Sequence, residues 1–104
     1  MDEKDVAARV ARLRMQKGVS ARDMSLSLGQ NPGYINNIET GKTRPSLTGI
    51  LYICEYFGIQ PSQFFDLSVE APQELEQTVA LLKRLNHHQL THIRAVIQDI
   101  VEHR

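Results

Sequence analysis

The sequence predicts an all-α protein, and two observations carry that prediction. Apolar residues recur three and four positions apart through most of the chain, while no stretch alternates apolar and polar residues as a half-buried strand does. Glycine, proline and small polar residues interrupt the pattern at intervals of one helix length. With 104 residues, 41% hydrophobic and 23% charged, the chain is expected to form one small core with room for a short appendage.

The first two predicted helices each end at a glycine. Arg9 and Arg12 lie between the apolar positions of the first helix, so its arginines are expected to point outward until the helix ends at Gly18. Ser20 is the expected N-cap of a second, short helix. The apolar stripe of the first helix is formed by Val6, Val10 and Leu13; that of the second is formed by Met24 and Leu28 before Gly29.

Asn31 and Pro32 predict the start of a third helix, because asparagine caps free amides and proline suits the first helical position. This helix is expected to end near Gly41, before a basic loop closed by Pro45. Ser46 then caps a fourth, largely buried helix, and a short turn over residues 61–65 completes a unit of five helices. The apolar residues of the fourth helix are Leu47, Ile50, Leu51, Cys54 and Phe57, followed by Gly58.

Residues 66–71 are polar and irregular, which predicts a boundary between residues 5–67 and a C-terminal segment over residues 72–104. Pro72 is expected to begin one amphipathic helix, and Asn86 to begin another. Their apolar faces need cover, so we expect homodimerisation, with folding back onto the same chain or binding of another protein as alternatives. The first stripe contains Leu75, Val79, Leu82 and Leu85, and the second contains Leu90, Ile93, Ile97, Ile100 and Val101.

Several classes of protein are disfavoured by what the sequence lacks. No window approaches 18 consecutive apolar residues and the N-terminus has no apolar stretch of a signal peptide, so a cytoplasmic protein is expected. Cys54 is the only cysteine, which disfavours disulfides and thiolate metal sites. His88 and His92 lie opposite the apolar stripe, where a solvated face is expected and no metal site. No catalytic motif or cofactor site is recognisable, so neither an enzyme nor a cofactor is expected.

Charge is unevenly distributed along the chain. The 12 basic and 12 acidic residues cancel overall, yet residues 9–44 hold seven basic and only two acidic side chains, a net charge of +5. Such an excess suits a module that presents a cationic face to a polyanion.

Residues 20–39 comprise a short helix, a glycine turn and a capped helix, which is the layout of a helix-turn-helix. The segment from Asp5 to Leu67 resembles the phage-repressor and Cro-like helix-turn-helix regulators, also called the xenobiotic-response-element family. That resemblance implies a five-helix lambda-repressor-like domain that binds double-stranded DNA. The residues that carry it are Leu13-Arg14, Gly18-Val19-Ser20, Leu28-Gly29, Ile35 to Ile38, Glu39-Thr40-Gly41-Lys42, Pro45-Ser46 and Phe57-Gly58-Ile59.

The third helix has the composition expected of a helix that enters the major groove. Such a helix presents its first turns to the bases, so the residues there should be small or hydrogen-bonding. Asparagine can bridge N6 and N7 of adenine, and tyrosine can contact a thymine methyl group or a phosphate. The predicted base-facing residues are Asn31, Gly33, Tyr34, Asn36 and Asn37.

The predicted phosphate contacts lie at the start of the second helix and in the basic loop. They are Ser20, Arg22, Lys42, Thr43 and Arg44. Two departures from the family pattern leave the full set of DNA contacts undetermined: Ala21 stands where the family commonly has a DNA-contacting glutamine, and Thr40 stands where it usually has an asparagine. The resemblance also implies a structural ion pair between Arg14 and Glu39.

The sequence therefore favours a dimeric bacterial or phage-derived regulator that binds duplex DNA and represses transcription. The alternative is an antitoxin-like or adaptor module that keeps this fold for protein interaction. Zero net charge and the missing glutamine favour that alternative slightly, whereas the loop cations beside a polar recognition face disfavour it.

Overall fold

The computed structural model describes all 104 residues and contains seven helices and no strand, which confirms the prediction of an all-α fold. Five helices precede a C-terminal pair. They are α1 (Glu3–Lys17), α2 (Ala21–Ser27), α3 (Tyr34–Glu39), α4 (Leu47–Phe57), α5 (Pro61–Phe64), α6 (Pro72–Leu82) and α7 (His87–Glu102). None of them is both long and apolar enough to cross a membrane.

The predicted capping residues are found at the end of α1, at the start of α2 and at both ends of α4. Ser20 Oγ accepts a hydrogen bond from the Asp23 amide at 3.0 Å, and Ser46 Oγ accepts one from the Gly49 amide at the same distance. Gly18 closes α1 with φ of 76°, a left-handed conformation that favours glycine. Local sequence thus sets where these helices begin and end.

The start of α3 differs from the prediction. Asn31 and Pro32 lie in a turn ahead of the helix, which begins at Tyr34 with Gly33 as its N-cap. Asn31 Oδ1 accepts from the Gly33 amide at 3.1 Å, so asparagine caps the turn instead of the helix. The first helical bond runs from the Asn37 amide to the Gly33 carbonyl at 2.9 Å.

A single core lies among the first five helices. The stripe predicted for α4 is confirmed at Cys54 and Phe57, which are buried, and at Ile50, which packs against the core, but not at its other two positions. Leu47 is 73% exposed and Leu51 is 47% exposed, whereas Ile53 is fully buried. Apolar residues occur on every side of α4, so periodicity alone does not show which side faces the core. The buried hydrophobic residues are Val10, Leu13, Met24, Ile35, Ile38, Ile53, Cys54, Phe57, Ile59 and Phe64.

Arg9 is buried, contrary to the prediction that the arginines of α1 point outward. Its side chain is 5% exposed and donates to the carbonyl oxygens of Phe64, Gln63 and Asp66 at 2.9, 2.8 and 3.2 Å. These carbonyls lie at the end of α5 and just beyond it, where backbone acceptors have no helical partner. Burial lowers the pKa of the Arg9 guanidinium, and the nearby Asp66 carboxylate partly offsets that effect. Arg9 therefore joins α1 to the end of α5.

The chain divides into two compact units, residues 1–73 and residues 74–104, so the division falls within the first turn of α6. The polar segment that suggested a linker packs on the first unit. Glu70 forms an ion pair with Arg12, and its carbonyl oxygen accepts from the Gln16 side chain at 2.7 Å. This segment thus contributes contacts to the first unit.

The second unit is built from most of α6 and all of α7. Asn86 Oδ1 caps α7 by accepting from the Gln89 amide at 2.8 Å, as the sequence predicts. Helix α6 ends at Leu82, so Leu85 lies in the turn and not on the helix as predicted. No residue of α7 is buried, which leaves its apolar stripe accessible.

Candidate nucleic-acid interface

Helix α3 is fixed on α2 by one buried hydroxyl and two buried isoleucines. Ser25 is fully buried; its Oγ donates to the Ala21 carbonyl at 2.7 Å and accepts from the Ile35 amide at 2.9 Å. Ile35 and Ile38 point into the core, with 0% and 1% exposure. Ser25 therefore supplies a partner for an amide in the first turn of α3, which would otherwise lack one. Sequence reasoning did not identify Ser25, because a small polar residue in a short helix carries no pattern.

The opposite face of α3 is polar and uncharged. At about 100° per residue, Gly33, Asn36, Asn37 and Thr40 share the side that faces away from the buried isoleucines. Asn36 and Thr40 are exposed and Asn37 is half-buried. Thr40 was not among the predicted base-facing residues; its Oγ1 donates to the Asn36 carbonyl at 2.8 Å. The face thus offers amide and hydroxyl groups that suit base edges.

Asn31 and Asn37 flank Gly33, although Asn31 lies outside the helix. A Cβ added at Gly33 would lie 3.7 Å from Asn31 Oδ1 and 3.7 Å from Asn37 Nδ2. The structure therefore brings both predicted asparagines to the start of α3. The missing side chain at Gly33 leaves the backbone accessible between them.

Tyr34 lies at the edge of this face, against α4. Its ring is half-buried and packs on the core. A Cβ added at Gly49 would lie 2.7 Å from the Tyr34 hydroxyl, so glycine at that position leaves the space that the tyrosine occupies. The hydroxyl group consequently lies near the N-terminus of α4, away from the centre of the polar face.

The predicted phosphate contacts occupy two places in the first unit. Ser20 is committed to capping α2, while Arg22 is exposed on the first turn of that helix. Lys42, Thr43 and Arg44 are exposed in the loop between α3 and α4. The Thr43 amide donates to the Asn37 carbonyl at 3.1 Å, which ties the loop to the end of α3.

Most of the basic residues in residues 9–44 are already engaged within the molecule. Arg44 Nη1 lies 3.2 Å from Glu3 Oε1, between two exposed side chains. Arg22 and Lys42 are exposed and form no ion pair, so the predicted excess of +5 overstates the charge available to a polyanion. The others are Arg9 on backbone carbonyls, Arg12 with Glu70, Arg14 with Glu39, and Lys17 with its Nζ 4.9 Å from the centre of the Tyr56 ring.

Arg14 and Glu39 form a two-point ion pair between α1 and the end of α3. Arg14 Nε lies 2.7 Å from Glu39 Oε2, and Nη2 donates to Oε1 at 3.0 Å. A third nitrogen, Nη1, donates to the Val19 carbonyl at 3.0 Å. The side chains are 19% and 12% exposed, and the hydrogen bonds to Glu39 raise the pKa of Arg14. The pair thus fixes the C-terminal end of α3 while Ser25 fixes its start.

Other chemically reactive groups lie apart from this face. Cys54 is 2% exposed within the core, and burial raises the pKa of its thiol. His88 and His92 are exposed on α7, and no group of three or more His, Cys, Asp or Glu side chains is arranged to hold a metal ion.

Comparison with known proteins gives one positive result. A family model described as a helix-turn-helix domain matches residues 5–64, which cover most of α1, all of α2 to α5 and every residue of the polar face of α3. Searches of curated proteins and of solved structures returned no match. Because that model covers more than half of the chain, the chain belongs to the helix-turn-helix domain family.

Proposed function

We propose that this protein is a sequence-specific transcriptional regulator of the phage-repressor and Cro-like type, acting as a repressor in the cytoplasm of a bacterium. Helix α3 is the recognition helix and enters the major groove of double-stranded DNA. The observation that carries the proposal is the exposed polar face of α3. On its other side the helix is fixed by the hydrogen bond from the Ile35 amide to Ser25, by burial of Ile35, and by the ion pair of Arg14 with Glu39. Repression requires no more than occupation of a promoter.

Base recognition is assigned to Asn36 and Asn37, with Asn31, Gly33 and Tyr34 beside them. An asparagine that bridges adenine discriminates against other bases by about 1–3 kcal/mol. Phosphate contacts are assigned to Arg22, Lys42, Thr43 and Arg44 together with the backbone near Ser20, and these set position without reading sequence.

Selection of random duplex DNA by the full chain at about 0.1 M salt tests this proposal. We expect enrichment of a defined site and a loss of affinity of roughly 5- to 150-fold for Asn37→Ala on that site. The matched control is Gln77→Ala, which removes an exposed amide from α6 and is expected to leave affinity unchanged. Absence of any enriched sequence would refute the regulator.

A homodimer is proposed from the exposed apolar residues of the C-terminal helices. The residues assigned to the dimer interface are Leu75 at 49% exposure, Val79 at 38%, Ile97 at 46% and Ile100 at 61%, together with Leu82, Leu90 and Ile93, which are half-buried. Two copies would place two recognition helices on half-sites about 34 Å apart, and the enriched site would then be a pseudo-palindrome. Linked binding of two weak half-sites raises affinity without new contacts.

Light scattering of the full chain measures this association. We expect a dimer that Ile97→Glu converts to a monomer, since a charge in an apolar interface is costly. Thr91→Glu, on a different face of α7, is the matched control and should remain dimeric. A monomeric full chain would exclude the dimer and favour helices that bind another protein.

The second candidate function is a protein-interaction module of the antitoxin or adaptor kind. The same exposed faces of α6 and α7 favour it, as does the small number of basic side chains that remain unpaired. It predicts no enriched duplex, together with a C-terminal unit that binds a different protein.

A further inference from the structure

A groove of about 640 Å³ separates the N-terminal half of α1 from the loop between α3 and α4. Glu3 on α1 and Arg44 on the loop both line this groove, and their nearest charged atoms lie 3.2 Å apart. No other ion pair joins this loop to α1. The apolar residues that line the groove are Val6, Ala7, Ala8, Ala11, Ile38, Pro45 and Ile50.

Both partners of this pair are accessible to a third charge. The side chain of Arg44 is 79% exposed and that of Glu3 is 69% exposed, so neither is committed to the core. An exposed ion pair of this kind changes an equilibrium constant by a factor of up to about five. Such a bond is weak enough for a DNA phosphate to replace and strong enough to reduce affinity measurably.

We propose that Glu3 competes with the DNA backbone for Arg44 and thereby limits the affinity of the protein for duplex DNA. In the free protein the Glu3 carboxylate pairs with the guanidinium of Arg44. The proposed function assigns that same guanidinium to a DNA phosphate. Binding then replaces one anionic partner by another, and the loop between α3 and α4 loses its only ion pair with α1. This inference rests on the proposed function, because it takes the loop between α3 and α4 as part of the DNA contact.

The competition has a consequence that general repulsion does not share. Removing any carboxylate near the interface weakens repulsion of DNA, whether or not Arg44 is present. Removing a competitor helps only while the contested cation is there. The effect of Glu3 should therefore depend on Arg44.

The experiment is a double-mutant cycle on the full chain with the duplex enriched by selection, at about 0.1 M salt. We expect Glu3→Gln to raise affinity by about two- to five-fold and to have no effect in an Arg44→Gln background. Asp23→Asn is the matched control, because Asp23 is an exposed carboxylate in the first turn of α2. Its gain should be equal in both backgrounds.

A second readout examines the pair without DNA. The Nε proton of Arg44, followed by NMR in the free protein, should shift on Glu3→Gln and stay unchanged on Asp23→Asn. If the duplex binds but Glu3→Gln gives the same gain with and without Arg44, the competition is refuted and the regulator stands. If no duplex is enriched, both the proposed regulatory function and the proposed competition between Glu3 and DNA are refuted, whatever the NMR signal shows.

Discussion

Single residues in α1 show how charge is used inside this protein. Arg9 satisfies backbone carbonyls at the end of α5, and Arg14 holds Glu39 at the end of α3. Both are cations in the sequence, yet both act as connectors between helices. A count of basic residues along the chain therefore overstates what DNA can reach.

The pair of Arg14 and Glu39 is expected to stabilise the fold as a unit. Arg14→Met and Glu39→Gln should each lower the free energy of unfolding by about 3 kcal/mol, because each leaves a mostly buried partner without its counter-charge. The double variant should lose clearly less than the sum of the two. Denaturant unfolding of the three variants measures this, and additive losses would exclude the coupling.

The buried thiol of Cys54 predicts a pH dependence of stability. Its pKa is raised in the folded protein, so the unfolded chain releases the proton first as pH rises. The stabilisation is complete below the ordinary thiol pKa of about 8.5 and is lost progressively above it. Unfolding measurements from pH 7 to 10 should show a steeper decline for the parent chain than for Cys54→Ala. Identical slopes would contradict the assignment.

At the level of elements, α3 is a short helix held at both ends by other parts of the fold. Six residues are too few for a helix to be stable by itself, so its conformation depends on packing. Ser25 holds its first turn and Glu39 its last residue. The rigidity of the polar face of α3 thus depends on the hydrogen bond to Ser25 and on the ion pair of Glu39 with Arg14.

Ser25→Ala should weaken both stability and DNA binding. It leaves the Ile35 amide buried without an acceptor, which costs about 1–3 kcal/mol. Thermal unfolding measures the loss, and the accompanying fall in affinity for the enriched duplex measures the disorder of α3. Ser27→Ala, at an exposed position of the same helix, is the matched control and should change neither. An unchanged Ser25→Ala protein would show that water satisfies the amide.

The sequence predicts helix ends better than it predicts burial, for a physical reason. Ser20, Ser46 and Gly58 act through neighbours within a few residues, so local pattern is sufficient. Arg9 depends on carbonyls more than fifty positions away, and no periodicity reports them. The candidate site shows the same division: the asparagines of α3 follow from the motif, whereas Ser25 does not.

At the level of the whole molecule, attraction to DNA depends on few charges. Of the predicted phosphate contacts, only Arg22, Lys42 and Arg44 are basic, and Arg44 is shared with Glu3. Affinity must then come largely from the polar face of α3 and, in the proposed homodimer, from linked binding of two copies. Long-range steering contributes less than in strongly basic DNA-binding proteins.

This predicts a shallow salt dependence. Three phosphate contacts per half-site give a slope of log K against log salt of about −2.7, and about −5 for a dimer on two half-sites. Lys42→Gln should reduce the slope by about 0.9 for each half-site, while Lys83→Gln, in the second unit, should leave it unchanged. Affinity measured over a range of salt concentrations checks both. A slope near −10 would show that other cations contact the backbone.

The connection from Arg9 to the end of α5 also constrains the order in which the chain acquires its structure. The guanidinium bonds to carbonyls that are 54, 55 and 57 residues further along the sequence. During synthesis, α1 to α4 emerge from the ribosome before these acceptors exist, so any early core must leave a cation unsatisfied or keep it hydrated. The buried contacts of Arg9 can therefore form in full only after Asp66 has been made.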